Sequence, residues 1–561
     1  MEPEPQAELL SESINARSRE GGRRRGAARR GWLVAVAVAS LALMGVRCPV
    51  DGPLRAGVCS VDITPISPSL LDEYESTFGV SGAVNHTDPV YIAGFGNDRQ
   101  ATGYNDQIWA RGTVVDGSDG RVAIVSVDLI GYFNAEVETI RSLIDPDAGI
   151  DYVVVSSTHQ HEGPDTLGIW GPDATTSGID FGYLDFVNQS VADCINDAVD
   201  NMQPARVKYA KTDGEGLSLG LDPEDDGFGV ADSRVLVDDD LLAPETEGRI
   251  IDPRLSIMQI TEHQEPFAPL ATLVNFASHP EALGSDNTLI TSDFPHYARE
   301  RIEELGGGLA IWVSGAVGVL QGPLRLDVED PDTGLPAPRR TYRWAEVHGQ
   351  QLADRVMESI PQDKRGMRQV RVEAAEPERV FLPLANPYFR FFIGIGVLPS
   401  GLFTAGELDD SVGFPFPAPF DVIPQALGED LGTEVGAFRI GEGSFVVVPS
   451  ELDPQIGEAY RELMSGSEHT FIIGLGNDEV GYQLPAEKWD DSCHACAPFV
   501  LGGVPEFCPL FPNINCDTIF QNNVGQQVDP EISASVEPML ERLHDPNRIV
   551  KNARDKLNET L

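Results

Sequence analysis

From about residue 54 the chain alternates short unbroken apolar runs with stretches whose apolar residues recur every three or four positions. The run 121–128 is almost continuously apolar, as expected of a strand covered on both faces. Asn134 then stands as an N-cap candidate for a helix that puts Val137, Ile140 and Ile144 on one side. Residues 152–155 form a second buried strand. A helix over about 183–199 follows, with Leu184, Val187, Val191, Ile195 and Ala198 at helical spacing. Further strands are predicted at 271–276, 309–313 and 444–448, and further helices at 294–305, 344–360 and 454–464. This alternation predicts an α/β domain built on a large mixed or parallel sheet flanked by helices. The least regular stretches are 213–252, 327–340, 383–430 and 490–529. The first is acidic but lacks the spaced ligands of a calcium loop, so it reads as a solvated loop. The aromatic stretch 387–398 reads as a buried core segment, with a peripheral membrane contact or a lip for a greasy substrate as the alternative.

The N-terminal segment has a different pattern. Arg23, Arg24, Arg25, Arg29 and Arg30 precede an uncharged apolar run from Trp32 to Val46. That run is shorter than the ~20 residues a spanning helix needs, so residues 1–50 read as an export signal or signal anchor. Arg29-Arg30 adds a twin-arginine character. The expected location is therefore outside the cytoplasm: periplasmic, extracellular or membrane-anchored. Residues 54–490 would form the main domain. Residues 491–561 would form a cysteine-containing loop and a C-terminal helix packed on it.

Composition narrows the partners. The 561 residues hold 40 Lys+Arg against 88 Asp+Glu, a net charge of −48. Nucleic acid is thereby excluded, because phosphate binding needs basic side chains, and electrostatic docking on anionic lipid is disfavoured. Four of the seven cysteines, Cys493, Cys496, Cys508 and Cys516, crowd into one segment. In an oxidising compartment they read as two disulfides, with three pairings open. Cys194 falls on the apolar face of its helix and reads as a buried thiol.

Candidate chemistry lies at strand ends. Residues 153–157 run straight into Thr158-His159-Gln160-His161-Glu162-Gly163-Pro164. Ligands in open α/β sheets bind beyond the carboxyl ends of strands. If the strand continues, alternation puts His159 and His161 on one face. A second apolar strand ends at His279, and a third ends in Val448-Pro449-Ser450-Glu451. Two imidazoles and a carboxylate at sheet ends match the three-ligand pattern of catalytic zinc. Each also has a duller reading: loop histidines, a hydrogen-bonded strand cap at His279, a helix N-terminal acid at Glu451.

In order, these fragments resemble the neutral/alkaline non-lysosomal ceramidases. Ala56-Gly57-Val58 with Asp62-Ile63-Thr64-Pro65 resembles the family's opening strand and turn, and Thr158–Pro164 its Thr-His-Thr-His-Ser-Gly-Pro. Residues 276–279, Asp293, Val448-Pro449-Ser450-Glu451, and Gly474-Leu475-Gly476-Asn477 through Tyr482 resemble later motifs. The resemblance implies Zn²⁺ on His159, His279, Glu451 and Tyr482. It implies His161 and Tyr482 in catalysis, with Asp293 and Arg99 as supporting groups. The implied reaction is hydrolysis of a lipid-like N-acyl amide, ceramide giving fatty acid and sphingosine.

The chain also departs from the family. Where relatives carry a Gly-Asp-Val-Ser-Pro-like segment, Val319 and Gln321 occupy the aspartate and serine positions. Asp165-Thr166-Leu167 replace glycine-rich residues after the histidine motif. The tail after Tyr482 is shorter than the ~100 residues of an immunoglobulin-like sandwich, so none is expected. An ester-hydrolysing or non-catalytic metal-binding homologue fits as an alternative. A serine hydrolase using Gly216-Leu217-Ser218-Leu219-Gly220 is a further one, but Gly220 leads into an acidic loop rather than a helix. The oligomeric state is left open.

Overall fold

A computed structural model of the chain describes residues 54–213, 251–318, 322–323, 327–361, 366–404, 406–408, 429–485 and 523–544. The N-terminal segment, Ser218, Val319, Gln321 and the four clustered cysteines lie outside the described residues.

Eight strands form the first sheet. They are β1 (Arg55–Asp62), β2 (Trp109–Asp116), β3 (Arg121–Val127), β4 (Tyr152–Ser157), β5 (Gln203–Asp213), β6 (Arg254–Glu262), β7 (Pro269–Phe276) and β8 (Leu309–Ser314). Their spatial order is β8-β7-β6-β5-β1-β2-β3-β4. The two outermost pairs are parallel, and each is joined by a crossover containing a helix. All inner pairs are antiparallel. The expected α/β fold with a large mixed sheet is borne out.

Helices α1 (Leu71–Phe78), α2 (Asn134–Leu143), α3 (Phe181–Asp200), α4 (Phe294–Glu304) and α5 (Tyr342–Ser359) belong to this half of the molecule. Residues alternate along the strands between two cores. Ala123, Val125 and Val127 pack with α2 and α3, and Phe276 and Trp312 pack with α4 and α5. Val122, Ile124, Leu273 and Ile311 point to the opposite face.

That opposite face meets a second sheet rather than more helices. Strands β9 (Val372–Ala374), β10 (Glu378–Pro383), β11 (Leu402–Thr404), β12 (Glu407–Leu408), β13 (Asp430–Ile440), β14 (Gly443–Val447) and β16 (His469–Ile473) form it. A separate parallel pair joins β15 (Glu451–Leu452) to β17 (Tyr482–Gln483). Between the sheets Phe445 stacks on Phe438 and Phe471 at centroid distances of 4.5 and 4.3 Å. Helices α6 (Pro387–Ile395), α7 (Pro454–Leu463) and α8 (Val528–His544) share the core on the second sheet's far side with Val446 and Ile472. A strand apolar on both faces reads the same whether a helix or a sheet covers it, which is why the second sheet was not foreseen.

Three local readings need correction. Cys194 is not a thiol: it is bridged to Cys59, tying α3 to β1 across 135 residues. The fit is close, since a Cβ on Gly57 would lie 1.8 Å from the Ala198 carbonyl oxygen. Asn134 is the first residue of α2 rather than its cap. Its N–H donates to Asp478 Oδ1 at 3.0 Å, so a carboxylate 344 residues away does the capping. The stretch 383–430, expected to be irregular, contains α6. Ile393 is buried there, and Phe389 and Phe392 are only partly so.

Candidate metal centre

The first histidine pair forms where β4 stops. Ser157 is its last residue, and His159 takes a left-handed φ of 63°. The strand therefore stops short of the motif, and the condition for strand alternation to pair the two histidines is not met. A turn, not strand alternation, brings the rings of His159 and His161 to a centroid distance of 5.1 Å. Hydrogen bonds to backbone carbonyls fix this turn: the backbone N–H of His159 donates to Leu129 O (3.0 Å), and the Gln160 side chain donates through Nε2 to Asp128 O (2.8 Å). The Asp128 carboxylate is itself gripped by Arg299 at 2.7 and 2.8 Å.

His159 Nδ1 lies 2.6 Å from Ile130 O. A carbonyl can only accept, so Nδ1 carries the proton and Nε2 is left with a lone pair. That Nε2 lies 3.3 Å from Glu451 Oε2. The fully buried His279, beyond the end of β7, brings its Nε2 to 3.0 Å from the same oxygen. A lone pair facing a carboxylate needs a positive centre between them, either a proton or a cation.

Glu451 opens β15 directly after β14 and its Val448-Pro449-Ser450 turn, ahead of the Asp453 cap of α7. It is therefore not a residue of that helix. In-register parallel pairing sets Glu451 beside the buried Tyr482, and the Glu451 N–H donates to Gly481 O at 3.1 Å. Asn477, with φ 64°, anchors the loop before Tyr482. Its Oδ1 accepts from Val155 N at 2.8 Å, which locks this loop to the strand that delivers His159.

His161 completes the group. One ring nitrogen from each of His159, His161 and His279 falls within 4.8 Å of the others. The His161 N–H donates to Pro280 O at 3.1 Å, joining the two histidine segments. Arg99 donates to the carbonyls of His161 and Ala93. Gly94, at φ 97°, lies directly under the ring. Neither ring nitrogen of His161 has a hydrogen-bond partner.

Burial sets the electrostatics. It pushes His161 well below its ordinary value, and the neighbouring His159 and His279 add to the effect. Burial also pushes Glu451 up, but His159 and His279 outweigh it and hold the carboxyl below the ordinary carboxylate range. Around these groups Glu162, Glu281 and Glu479 are pushed well above it, burial being the largest cause in each. Asp293, the N-cap of α4, is pushed up to about 7 by burial, against backbone N–H donors.

The fold thus brings His159, His161, His279 and Glu451 together and sets Tyr482 next to Glu451. Sequence reasoning missed Glu281 and Glu479, because single acids in loops carry no pattern. It also missed what Asp165 does. The Asp165 carboxylate accepts the N–H groups of Leu167, Gly168 and Trp170 at 3.0, 2.6 and 2.9 Å. It thereby shapes the loop that departs from the family motif.

Comparison with known proteins bears on the family and the fold. The model of the neutral/alkaline non-lysosomal ceramidase N-terminal domain matches residues 80–309. The fold is similar to the crystal structure of neutral ceramidase from Pseudomonas aeruginosa, with a TM-score of 0.59 and 16% identity, covering 88% of this chain and 75% of that one. A ceramidase complexed with C2 gives the same TM-score and identity over 88% and 76%. No curated protein matches by sequence. The resemblance read from the motifs is borne out over residues 80–309 by the family model, and in the fold by the two ceramidase structures.

Proposed function

We propose that the protein is an exported, zinc-dependent hydrolase that cleaves the amide bond of a lipid-like N-acyl substrate, with ceramide as the model compound. The carrying observation is the approach of one Glu451 oxygen to Nε2 of both His159 and His279, at 3.3 and 3.0 Å. Donor atoms held at about 2.0–2.1 Å around a tetrahedral zinc are about 3.3 Å apart, so these separations suit that ion. The lone pair on His159 and the unpartnered ring of His161 agree with the same reading. The Cys59–Cys194 bridge supports an oxidising compartment.

In this reading His159, His279, Glu451 and Tyr482 hold the metal. Bound zinc would polarise the scissile carbonyl and lower the pKa of a water to about 7. The buried His161 is neutral at pH 7 and takes the proton that the attacking water loses. It then delivers that proton to the amine nitrogen as the C–N bond breaks. The Tyr482 hydroxyl would stabilise the developing oxyanion.

The test joins metal analysis of the purified protein to a screen of N-acyl amides and esters. About one zinc per chain is expected, with amide turnover lost on chelation, restored by zinc and unaffected by Ser218→Ala. Turnover that survives chelation but not Ser218→Ala would establish the serine hydrolase instead. Bound metal without turnover would leave a binding protein, and turnover of esters alone would replace the amide.

A further inference from the structure

We propose that Glu281 is the positioning residue for His161: its carboxylate takes the Nδ1–H of the imidazole, so that Nε2 keeps its lone pair. The inference deepens the role given to His161 above and rests on that reading for its kinetic consequence only.

His161 has an unmet requirement. A neutral imidazole has one N–H and one lone pair, and both are costly to bury without partners. Neither nitrogen has a hydrogen bond. Glu281 Oε2 stands 3.7 Å from Nδ1, within an ångström of hydrogen-bond contact. The approach is built into the backbone. Glu281 follows Pro280, whose carbonyl accepts the backbone N–H of His161. Arg99 holds the His161 carbonyl from the other side, and Phe95 meets the ring edge-on at 5.2 Å. The ring is therefore confined, and the remaining choice is which nitrogen carries the proton. With the proton on Nδ1, Nε2 can take a proton from water. With the proton on Nε2, that nitrogen is already a donor and cannot act as a base. Carboxylates that orient histidines beside metals set this choice in the same way. The tautomer of His161 is thus a measurable consequence of the Glu281 side chain.

The experiment is ¹⁵N NMR of histidine-labelled, metal-free full chain at pH 8, with His161 assigned by the signals lost in His161→Gln. The wild-type chain should show His161 protonated on Nδ1. Glu281→Gln, whose amide oxygen still accepts, should keep that tautomer, and Glu281→Ala should lose it. Amide turnover should fall about 10–100-fold in Glu281→Ala at unchanged metal content, and recover in part in Glu281→Gln. His161 protonated on Nε2 in the wild type would overturn the proposal, as would the same tautomer in wild type and Glu281→Ala. Should Glu281→Ala fail to fold, the wild-type and Glu281→Gln spectra still decide it. A protein with no amide turnover would refute the proposed function and leave the tautomer result standing.

Discussion

Replacing Gly94 by alanine perturbs His161 without altering any proposed ligand. Gly94 has φ 97°, and a Cβ there would stand 2.4 Å from His161 Cβ, 2.5 Å from Cγ and 2.8 Å from Cα. The closest approach is about 1 Å short of ordinary carbon–carbon contact. Two costs follow. The backbone strain of a side chain at such a φ is about 1–3 kcal/mol, and the overlap adds a similar amount. The overlap can be relieved only by moving His161 or the Gly94 loop, and Arg99 ties the His161 carbonyl to that of Ala93. We expect His161 to shift by about 1 Å, and a displacement of that size at a reacting group costs roughly 100-fold in rate. Gly79→Ala is the control. Its φ is 67°, but nothing lies within 4 Å of the added Cβ, so it carries strain without overlap. The assay compares kcat/KM on an N-acyl amide, zinc content and chemical denaturation for both variants. Gly94→Ala should lose activity far beyond its loss of stability, whereas Gly79→Ala should lose stability alone. Wild-type kcat/KM in a folded Gly94→Ala chain would refute the argument that His161 must sit where it does.

Three further outcomes are open to measurement. Cys59→Ser with Cys194→Ser should lower unfolding free energy by up to ~5 kcal/mol, because the bridge closes a loop of 135 residues, and should leave turnover intact in the cold. Unchanged denaturation midpoints would show the bridge to be energetically idle. The native Asp293 carboxyl, near 7 against an ordinary 3.8, binds its proton more tightly than the unfolded chain does. Its contribution is therefore fully present below the ordinary value and is lost as pH rises through about 7. Asp293→Asn keeps the cap and should be more stable than wild type at pH 8 by on the order of 4 kcal/mol at most, with the gap closing towards pH 4. Parallel stability profiles for the two proteins would contradict this. Chelation should also lower the melting temperature, since an ion bound only by the native state stabilises it by about 2.7 kcal/mol at a hundredfold excess over Kd. An identical melting curve with and without chelator would count against a metal on these four side chains.

The buried charges near the site divide into two kinds. Asp128 and Arg299 are matched by two hydrogen bonds, so the turn entering the histidine motif rests on a satisfied pair. Glu162, by contrast, has one oxygen without a partner, while its other oxygen accepts from Asn287 Nδ2 at 2.7 Å and faces Arg99 at 3.6 Å.

The amino-acid sequence by itself determined the elements and the donors. Periodicity placed β3, β4, β7, β8 and the helices between them to within a few residues, since apolar spacing is a local property of each segment. It also put His159, His279 and Glu451 beyond the ends of strands. What covers an apolar strand is not local, so the second sheet and the Cys59–Cys194 bridge emerged only in three dimensions. The same holds within the site. Strand alternation pointed to a shared face for His159 and His161, but a left-handed residue makes the approach. The Glu451–Tyr482 register and the nearness of Glu281 to His161 depend on segments 31 and 120 residues apart meeting at one depth. Hydrophobic pattern fixes which side of a segment is buried; only packing fixes the height and angle at which two segments meet, and the chemistry of a metal or proton site depends on that distance.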